Sequence, residues 1–184
     1  MIAEKLIILD LCAGTGGWSQ PYADAGYDVQ RVDILYGDDV RHRRYSPSSV
    51  HGILAAPPCT HLSASGARWW AEKGDAALLE ALAVVDACLR AVVVEQPVWW
   101  ALENPVGRLV NYLGQPAMRF DPCDYGDPWT KRTCLWGRFT PPEPSPAEAT
   151  EAGRIHRMSP SPDRGAKRSV TPPGFARAFF EANP

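Results

Sequence analysis

Short, uninterrupted apolar runs recur along the chain, each with the length of a strand and each followed by a turn. The runs at 6–12, 53–56 and 98–102 lack the alternation of a half-exposed strand, so they predict strands of a buried parallel sheet. Residues 75–91 carry apolar side chains at helical spacing, which predicts a covering helix with Cys88 in its core. This pattern predicts an α/β protein.

Three further segments complete the predicted sheet. Residues 28–33 predict another parallel strand. Residues 116–125 and 131–136 predict two strands around the turn at 126–128, which would form an antiparallel edge on an otherwise parallel sheet. A last helix is predicted to start within 169–173, with proline at its first positions.

Length and composition indicate one cytosolic domain with reduced thiols. The 184 residues, 45% of them hydrophobic, suffice for a single core within one domain spanning 1–184. No apolar run approaches the roughly 20 residues that cross a bilayer, and the first five residues lack the layout of a signal peptide. Five cysteines without a C-x-x-C pair argue against a disulfide framework and a structural zinc site. We therefore expect neither membrane nor metal as a partner.

The net charge of −2 offers no global attraction to nucleic acid, so such contacts must come from local basic patches. One patch lies in the connector 138–168, where proline, serine and charge dominate and no apolar period builds a core. From residue 154 onward its basic side chains face only Asp163. Both a polyanion footprint and a solvated connector explain this composition. The basic residues are Arg154, His156, Arg157, Arg164, Lys167 and Arg168.

A glycine turn, Gly14-Thr15-Gly16-Gly17, joins the first strand to a segment, 18–25, that is predicted to be helical. Such a turn lets a ligand approach the backbone, and the helix that follows presents free N–H groups. Asp33 ends the next strand about 20 residues later, where a carboxylate can accept hydrogen bonds from ribose hydroxyls. The spacing is not the dinucleotide fingerprint, and a plain strand-to-helix turn stays an alternative.

Two side chains that follow apolar strands are candidates for catalysis. Cys59 leaves its strand on a turn stiffened by Pro57 and Pro58, and a loop of small residues follows it. A thiol at a strand end is where an α/β enzyme places a nucleophile, although most cysteines are inert core residues. Glu103 follows the strand at 98–102 and precedes Pro105, where an acid can serve in chemistry or simply favour the start of a helix.

Taken together, these stretches resemble the DNA cytosine carbon-5 methyltransferases, which depend on S-adenosylmethionine. The resemblance rests on motifs that occur in the order of that family. It implies a Rossmann-like fold whose mostly parallel sheet carries helices on both faces and an antiparallel edge toward the carboxyl terminus. The motifs are Asp10-Leu11-Cys12-Ala13-Gly14-Thr15-Gly16-Gly17, Asp33, Gly37-Asp38-Asp39-Val40, Pro57-Pro58-Cys59, Glu103-Asn104-Pro105, Tyr125-Gly126-Asp127-Pro128 and Ser169-Val170.

The resemblance also implies roles. Carbon 5 of cytosine is activated when a thiolate adds at carbon 6, which would be the role of Cys59. Glu103, in a dry pocket, would donate to ring nitrogen 3, with Asn104 and Pro105 fixing its direction and Lys131 near the base. The cofactor would be held at its methionine end by the glycine turn, at its ribose by Asp33 and at its adenine by Asp39.

The resemblance assigns two larger groups of residues. Cofactor contacts are expected from Asp10, Cys12, Ala13, Gly14, Thr15, Gly16, Gly17, Trp18, Asp33, Ile34, Asp39, Val40, Pro57, Ser169 and Val170. Substrate contacts are expected from Pro58, Ser63, Arg132, Thr133, Arg157, Arg164, Lys167 and Arg168.

Two departures from the family limit what the resemblance implies. Lys131 and Thr133 stand where the family carries two arginines, and lysine cannot bind bidentately. Only the connector 138–168 occupies the place of a target-recognition domain, so little surface is left to enter a groove. We expect DNA methylation of short or relaxed specificity, in a bacterial or phage-infected cytoplasm. The alternatives are methylation of a free cytosine nucleotide, dCMP or dCTP, and a cofactor-binding subunit that needs a partner chain.

Overall fold

The computed structural model describes residues 5–46, 50–159, 161 and 164–184. Its centre is one six-stranded sheet in the order β2-β1-β3-β4-β6-β5. The first four of these strands run parallel, β6 is antiparallel to β4, and β5 is antiparallel to β6. The predicted α/β class, with a mostly parallel sheet and an antiparallel edge, is confirmed. The strands are β1 (Ile7–Leu11), β2 (Asp28–Val32), β3 (Val50–Ala55), β4 (Trp99–Pro105), β5 (Met118–Phe120) and β6 (Thr133–Arg138).

Helices cover both faces of this sheet, as predicted. The long α2 buries Val85, Cys88 and Ala91 against one face. The carboxyl-terminal helix α6 packs Phe175 and Phe179 with Trp18 into an aromatic layer on the other face. The helices are α1 (Gln20–Asp24), α2 (Trp70–Glu95), α3 (Val110–Leu113), α4 (Arg154–Arg157), α5 (Arg164–Ser169) and α6 (Pro173–Ala182).

Several predicted boundaries are wrong. The strand predicted at 98–102 extends to Pro105, because β6 pairs with it through Glu103 and Asn104. The strand predicted at 116–125 is only the short β5, and residues Pro122–Tyr125 form a 3₁₀ turn. The first helix spans five residues rather than 18–25.

The last helix begins later than predicted. Ser169 ends α5, Val170 lies in the link between helices, and α6 starts at Pro173. Two successive prolines explain this start, since each disfavours helical geometry in the residue before it but is accommodated in the first helical turn. Val170 is therefore not part of the final helix.

The parallel arrangement brings the carboxyl ends of β1, β2, β3 and β4 to one edge of the sheet. The antiparallel β6 begins at that same edge, since Thr133 pairs with Pro105 at the end of β4. Ligands of open α/β sheets bind in the crevice outside this edge. The glycine turn, Asp33, Cys59, Glu103 and Lys131 all follow or flank these strand ends.

Candidate active site

The glycine turn and Asp33 form one hydrogen-bonded unit. After β1, the N–H groups of Cys12 and Ala13 both donate to the carbonyl of Val32, at 2.8 and 3.2 Å. The Gly14 N–H then donates to Oδ2 of Asp33 at 2.9 Å. These bonds join the ends of β1 and β2, so the turn and the carboxylate lie side by side.

An exposed apolar surface adjoins this unit. Asp33 also accepts from the Leu35 N–H at 2.9 Å, which starts a 3₁₀ turn over Ile34–Tyr36. Ile34 and Leu35 are 72% and 73% exposed, and the Tyr36 hydroxyl donates to the Gly14 carbonyl at 2.8 Å. Each oxygen of Asp33 accepts one backbone hydrogen bond and has a further lone pair, and a carboxylate beside apolar side chains suits a ligand with a flat ring and a sugar. Sequence analysis proposed Ile34 but missed Tyr36, whose long-range bond had no local signal.

A buried acid lies beneath the glycine turn. Asp10, on β1, is almost fully buried, and that burial raises its pKa to about 6 against the opposing effects of a hydrogen bond with Ser19 and the charge of Arg31. Its Oδ2 has no hydrogen-bond partner in the described part of the chain. Arg31 donates to the Ser19 hydroxyl at 3.2 Å and packs so closely on Gly16 that a β-carbon there would lie 2.3 Å from Nε. Neither Ser19 nor Arg31 was proposed from the sequence.

The other proposed cofactor contacts occupy varied positions. Asp39 is held bidentately by Arg41, at 3.0 Å from Nε and 2.6 Å from Nη2, and this hydrogen bonding lowers the pKa of Asp39 to about 2. Its neighbour Asp38 pairs with Arg43. Contact between Asp39 and an adenine amino group would therefore compete with Arg41. Of the rest, Trp18 and Val40 are buried, whereas Thr15 is exposed.

The turn that carries Cys59 is fixed from both ends. Pro57 is buried, and its carbonyl accepts a 2.8 Å bond from Nδ2 of Asn104 in the neighbouring strand. The carbonyl of Cys59 accepts from the N–H groups of Leu62 and Ser63, at 3.0 and 2.9 Å. Pro58 is exposed between these anchors. The thiol is thus presented on a short, bonded turn rather than on a free loop.

Cys59, Glu103 and Lys131 share one electrostatic environment. Burial raises the pKa of the Cys59 thiol, and the negative charge of Glu103 raises it further. Lys131 and Arg168 act in the opposite direction on the same pKa. Nζ of Lys131 lies 3.8 Å from Oε1 of Glu103, and both side chains are mostly buried. The structure therefore brings together the nucleophile, acid and cation proposed from the sequence.

A second set of contacts joins the Cys59 turn to the segment that follows β4. Ser63 and Gly107 form an isolated antiparallel bridge, and the Arg108 N–H donates to the Leu62 carbonyl at 2.9 Å. Nε of Arg108 donates to the His61 carbonyl at 2.8 Å. A β-carbon at Gly107 would lie 2.0 Å from the Leu62 oxygen, so only glycine permits this contact. Arg108 was missed because its partners are distant in sequence.

The two residues after Lys131 have other partners. Arg132 is exposed and pairs with Asp121 at 3.2 Å. Thr133 is buried at the start of β6, and its hydroxyl donates to the Lys131 carbonyl at 2.7 Å. Of these three residues only Lys131 pairs with Glu103.

The basic side chains of the connector 138–168 lie in two separate places. Arg154 pairs with Glu151 at 3.0 Å and lies over the Trp129 ring, and Arg157 donates to the Ala152 carbonyl of its own turn. By contrast, Arg164 and Arg168 on α5 line a cleft beside the loop that follows Cys59. Lys167 is exposed on the same helix. Asp163 and the side chain of His156 lie outside the described residues.

The link between α5 and α6 approaches the glycine turn. A β-carbon at Gly17 would lie 3.8 Å from the carbonyl oxygen of Thr171. Val170, directly before it, is 43% exposed, and Ser169 is also exposed. Of the two residues proposed to close the cofactor pocket, Ser169 is thus the last residue of α5 and Val170 lies in the link beside the turn, so neither belongs to the final helix.

Within the described residues, no helix combines the length and apolarity needed to traverse a bilayer. The same residues contain no group of three or more His, Cys, Asp or Glu side chains placed to hold a metal ion.

Comparison with known proteins shows a limited structural similarity. No protein-family model matches the chain, and no curated protein matches its sequence. A solved structure from an E. coli prophage, assigned as a DNA modification methyltransferase, aligns at 19% identity over 85% of this chain, with a TM-score of 0.48. An Entamoeba histolytica methyltransferase aligns at 14% identity over 79%, with a TM-score of 0.47.

Both of those proteins are methyltransferases. At these TM-scores the similarity does not bear on what this chain does. The chain aligns with 56% of the length of each.

Proposed function

We propose that this protein transfers a methyl group from S-adenosylmethionine to carbon 5 of cytosine in DNA. The observation that carries the proposal is the shared environment of Cys59, Glu103 and Lys131 at the strand edge next to the glycine turn. A thiol, a carboxyl group and a cation are the three groups needed to add to carbon 6, to donate to nitrogen 3 and to offset the charge that develops.

The residues at the glycine turn fit the proposed cofactor. Gly14 has open space where a β-carbon would stand, and Asp33 beside it offers carboxylate oxygens to ribose hydroxyls. The exposed side chains of Ile34 and Leu35 offer an apolar surface for the adenine. The unpartnered oxygen of buried Asp10 would accept from a donor at the methionine end. When bound, S-adenosylmethionine supplies an electrophilic methyl group.

In this proposal the chain activates the pyrimidine. The Sγ of Cys59 loses its proton and forms a bond to carbon 6, and Glu103 donates a proton to nitrogen 3 as the ring becomes electron-rich at carbon 5. After carbon 5 has gained its methyl group, a water molecule takes the proton from carbon 5, and the electrons of that bond form the double bond to carbon 6 as the thiolate departs. Nitrogen 3 returns its proton to the Glu103 carboxylate, which restores the ring.

The electrostatics give Glu103 a second role. Its carboxylate opposes formation of the Cys59 thiolate, whereas Lys131 and Arg168 favour it. A proton on Glu103 removes this repulsion and at the same time equips the acid to donate to nitrogen 3. Lys131, at 3.8 Å from Glu103, then remains as the cation that stabilises the thiolate.

The structure of the connector supports short or relaxed sequence specificity. Between β6 and α6 its described residues form only the short α4 and α5, of four and six residues. Reading several base pairs requires an element that enters a groove and places side chains on base edges. The basic side chains here suit phosphate contacts instead.

The test is bisulfite sequencing of DNA from cells that express the chain, with Cys59→Ala as the matched control. We expect 5-methylcytosine at many short sequence contexts with the unmodified chain and none with the variant. Methylation by Cys59→Ala at the same level would contradict the mechanism.

Two alternatives have their own signatures. If the substrate is free dCMP or dCTP, the purified protein methylates the nucleotide in preference to DNA when both are offered with labelled cofactor. If the chain is a subunit, calorimetry shows cofactor binding, and turnover begins only when a partner chain is added.

A further inference from the structure

A basic cleft opens between the loop that follows Cys59 and helix α5. Its volume is about 380 Å³, which lies within the range of small-ligand sites, roughly 300–1,000 Å³. One wall is the 3₁₀ turn over Ala64–Trp69, and the other is α5. The residues that line it are Ala64, Ser65, Arg68, Arg164 and Arg168.

Three guanidinium groups line this cleft, and no carboxylate belongs to its lining among the described residues. None of the ion pairs between described residues involves Arg68, Arg164 or Arg168. The Nε of Arg164 is buried without a hydrogen-bond partner in the described part of the chain. Three like charges around one cavity repel each other, and an anion in the cavity would reverse that repulsion.

The cleft also adjoins the nucleophile. Arg168 interacts electrostatically with Cys59, and Ser63, which caps the 3₁₀ turn of the wall, accepts the Ser65 N–H at 3.3 Å. The Arg68 guanidinium is held over the Trp69 ring at 5.0 Å. A group bound here would lie beside the loop that follows Cys59.

We propose that this cleft binds a phosphate group of the nucleotide that carries the target cytosine, with Arg68 on one wall and Arg164 and Arg168 on the other. The identity of the base rests on the proposed function, whereas the recognition of phosphate rests on the three arginines. Arginine suits this task because its planar donors match phosphate oxygens bidentately. Binding would link α5 of the connector to the loop that carries the nucleophile.

The test measures binding without methylation. A fluorescein-labelled, cytosine-containing single-stranded oligonucleotide is titrated with the protein by fluorescence polarisation at several salt concentrations. We expect Arg168→Gln and Arg164→Gln each to weaken binding about tenfold and to reduce the salt slope by about one. Arg68→Gln, on the opposite wall, should do the same, so that the result does not depend on α5 remaining folded.

The control is Arg177→Gln, which removes the same charge from an exposed position on α6, and we expect it to change binding less than twofold. Thermal melting confirms that all four variants fold. If the three cleft variants bind like Arg177→Gln, the proposal is overturned.

Competition then identifies the source of the phosphate. Displacement of the oligonucleotide by dCMP but not by deoxycytidine shows that one terminal phosphate suffices. Displacement by unlabelled oligonucleotide alone shows that the cleft holds a phosphodiester. If the cleft variants lose oligonucleotide binding but the unmodified chain makes no 5-methylcytosine, the phosphate-binding proposal is supported and the proposed function is contradicted. If methylation proceeds with an unchanged KM in all three cleft variants, the proposed function is supported and the phosphate-binding proposal is contradicted.

Discussion

The candidate site has two sides: the glycine-turn side, with Gly14 and Asp33, and the nucleophile side, with Cys59, Glu103 and Lys131. Different kinds of contact hold the two sides in position. On the glycine-turn side the decisive bonds join residues close in sequence, with Gly14 and Asp33 19 residues apart and Arg31 and Ser19 12 apart. On the nucleophile side the bonds from Asn104 to Pro57 and from Arg108 to His61 each span 47 residues. The first side is a local β-α-β unit, whereas the second exists only after β3, β4 and β6 are assembled.

Both sides nevertheless bury an acidic group. Burial raises the pKa of Asp10 on one side and of the Cys59 thiol on the other. Near Asp10 a hydroxyl and a cation oppose the effect of burial while the Asp33 carboxylate adds to it, and near Cys59 two cations oppose it while the Glu103 carboxylate adds to it. The consequences differ: the buried carboxyl of Asp10 makes the free energy of unfolding depend on pH, whereas the charges around Cys59 set how readily its thiol ionises.

The largest expected effect is a loss of methyl transfer without a loss of cofactor affinity. Cys59→Ala removes the only group proposed to add to carbon 6, so methyl transfer should fall at least about 10⁴-fold. Cofactor affinity should change less than about twofold, because the glycine turn is held by its own bonds. Single-turnover assays and calorimetry measure the two quantities, and a parallel loss of cofactor binding would mean that the two sides are not independent.

The next effect concerns stability on the glycine-turn side. Because the pKa of Asp10 rises from 3.8 unfolded to about 6 folded, ionising it costs stability as pH rises from about 4 to 6. Asp10→Asn should therefore be more stable than the unmodified chain by up to about 3 kcal/mol at pH 7.5, with no such gain below pH 4. Urea unfolding at both pH values checks this, and equal gains at both would contradict it.

A smaller effect tests the repulsion on the nucleophile side. Glu103→Gln removes the negative charge that raises the pKa of Cys59, so the pH midpoint of Cys59 alkylation by iodoacetamide should fall. We expect alkylation to become about tenfold faster at neutral pH while methyl transfer is lost. Glu181→Gln, an exposed change of the same charge on α6, serves as control. Slower alkylation of Glu103→Gln would show that Glu103 does not act on the thiol in this way.

The smallest effect has the opposite sign. Lys131→Gln removes a charge that lowers the pKa of Cys59, so alkylation at neutral pH should slow about threefold. Lys5→Gln is the matched control, since Lys5 is exposed before β1. Mass spectrometry of the Cys59 peptide measures both rates, and equal rates for the two variants would remove Lys131 from the set of groups that tune the thiol.

Sequence patterns were most informative where structure is local. The apolar runs predicted the strands, and the glycine turn with Asp33 some 20 residues later predicted the pair that a hydrogen bond joins. Sequence patterns failed where a residue distant along the chain, or a side-chain pairing, determines the position or the partner of a side chain. Glu103 was expected after its strand, yet β6 pairs with it and keeps it inside β4. Asp39 was considered without Arg41, which binds its carboxylate.

The sequence by itself determined the α/β class, the glycine turn and a cysteine on a turn stiffened by prolines, because these depend on backbone preferences within a few residues. Only the tertiary structure decided that Lys131 lies beside Glu103, that Arg108 binds the loop after Cys59, and that Arg68 and Arg168 lie on opposite walls of one cleft. The physical reason is that these contacts join residues from different strands and loops, and sheet order and register, rather than local propensity, set their distances.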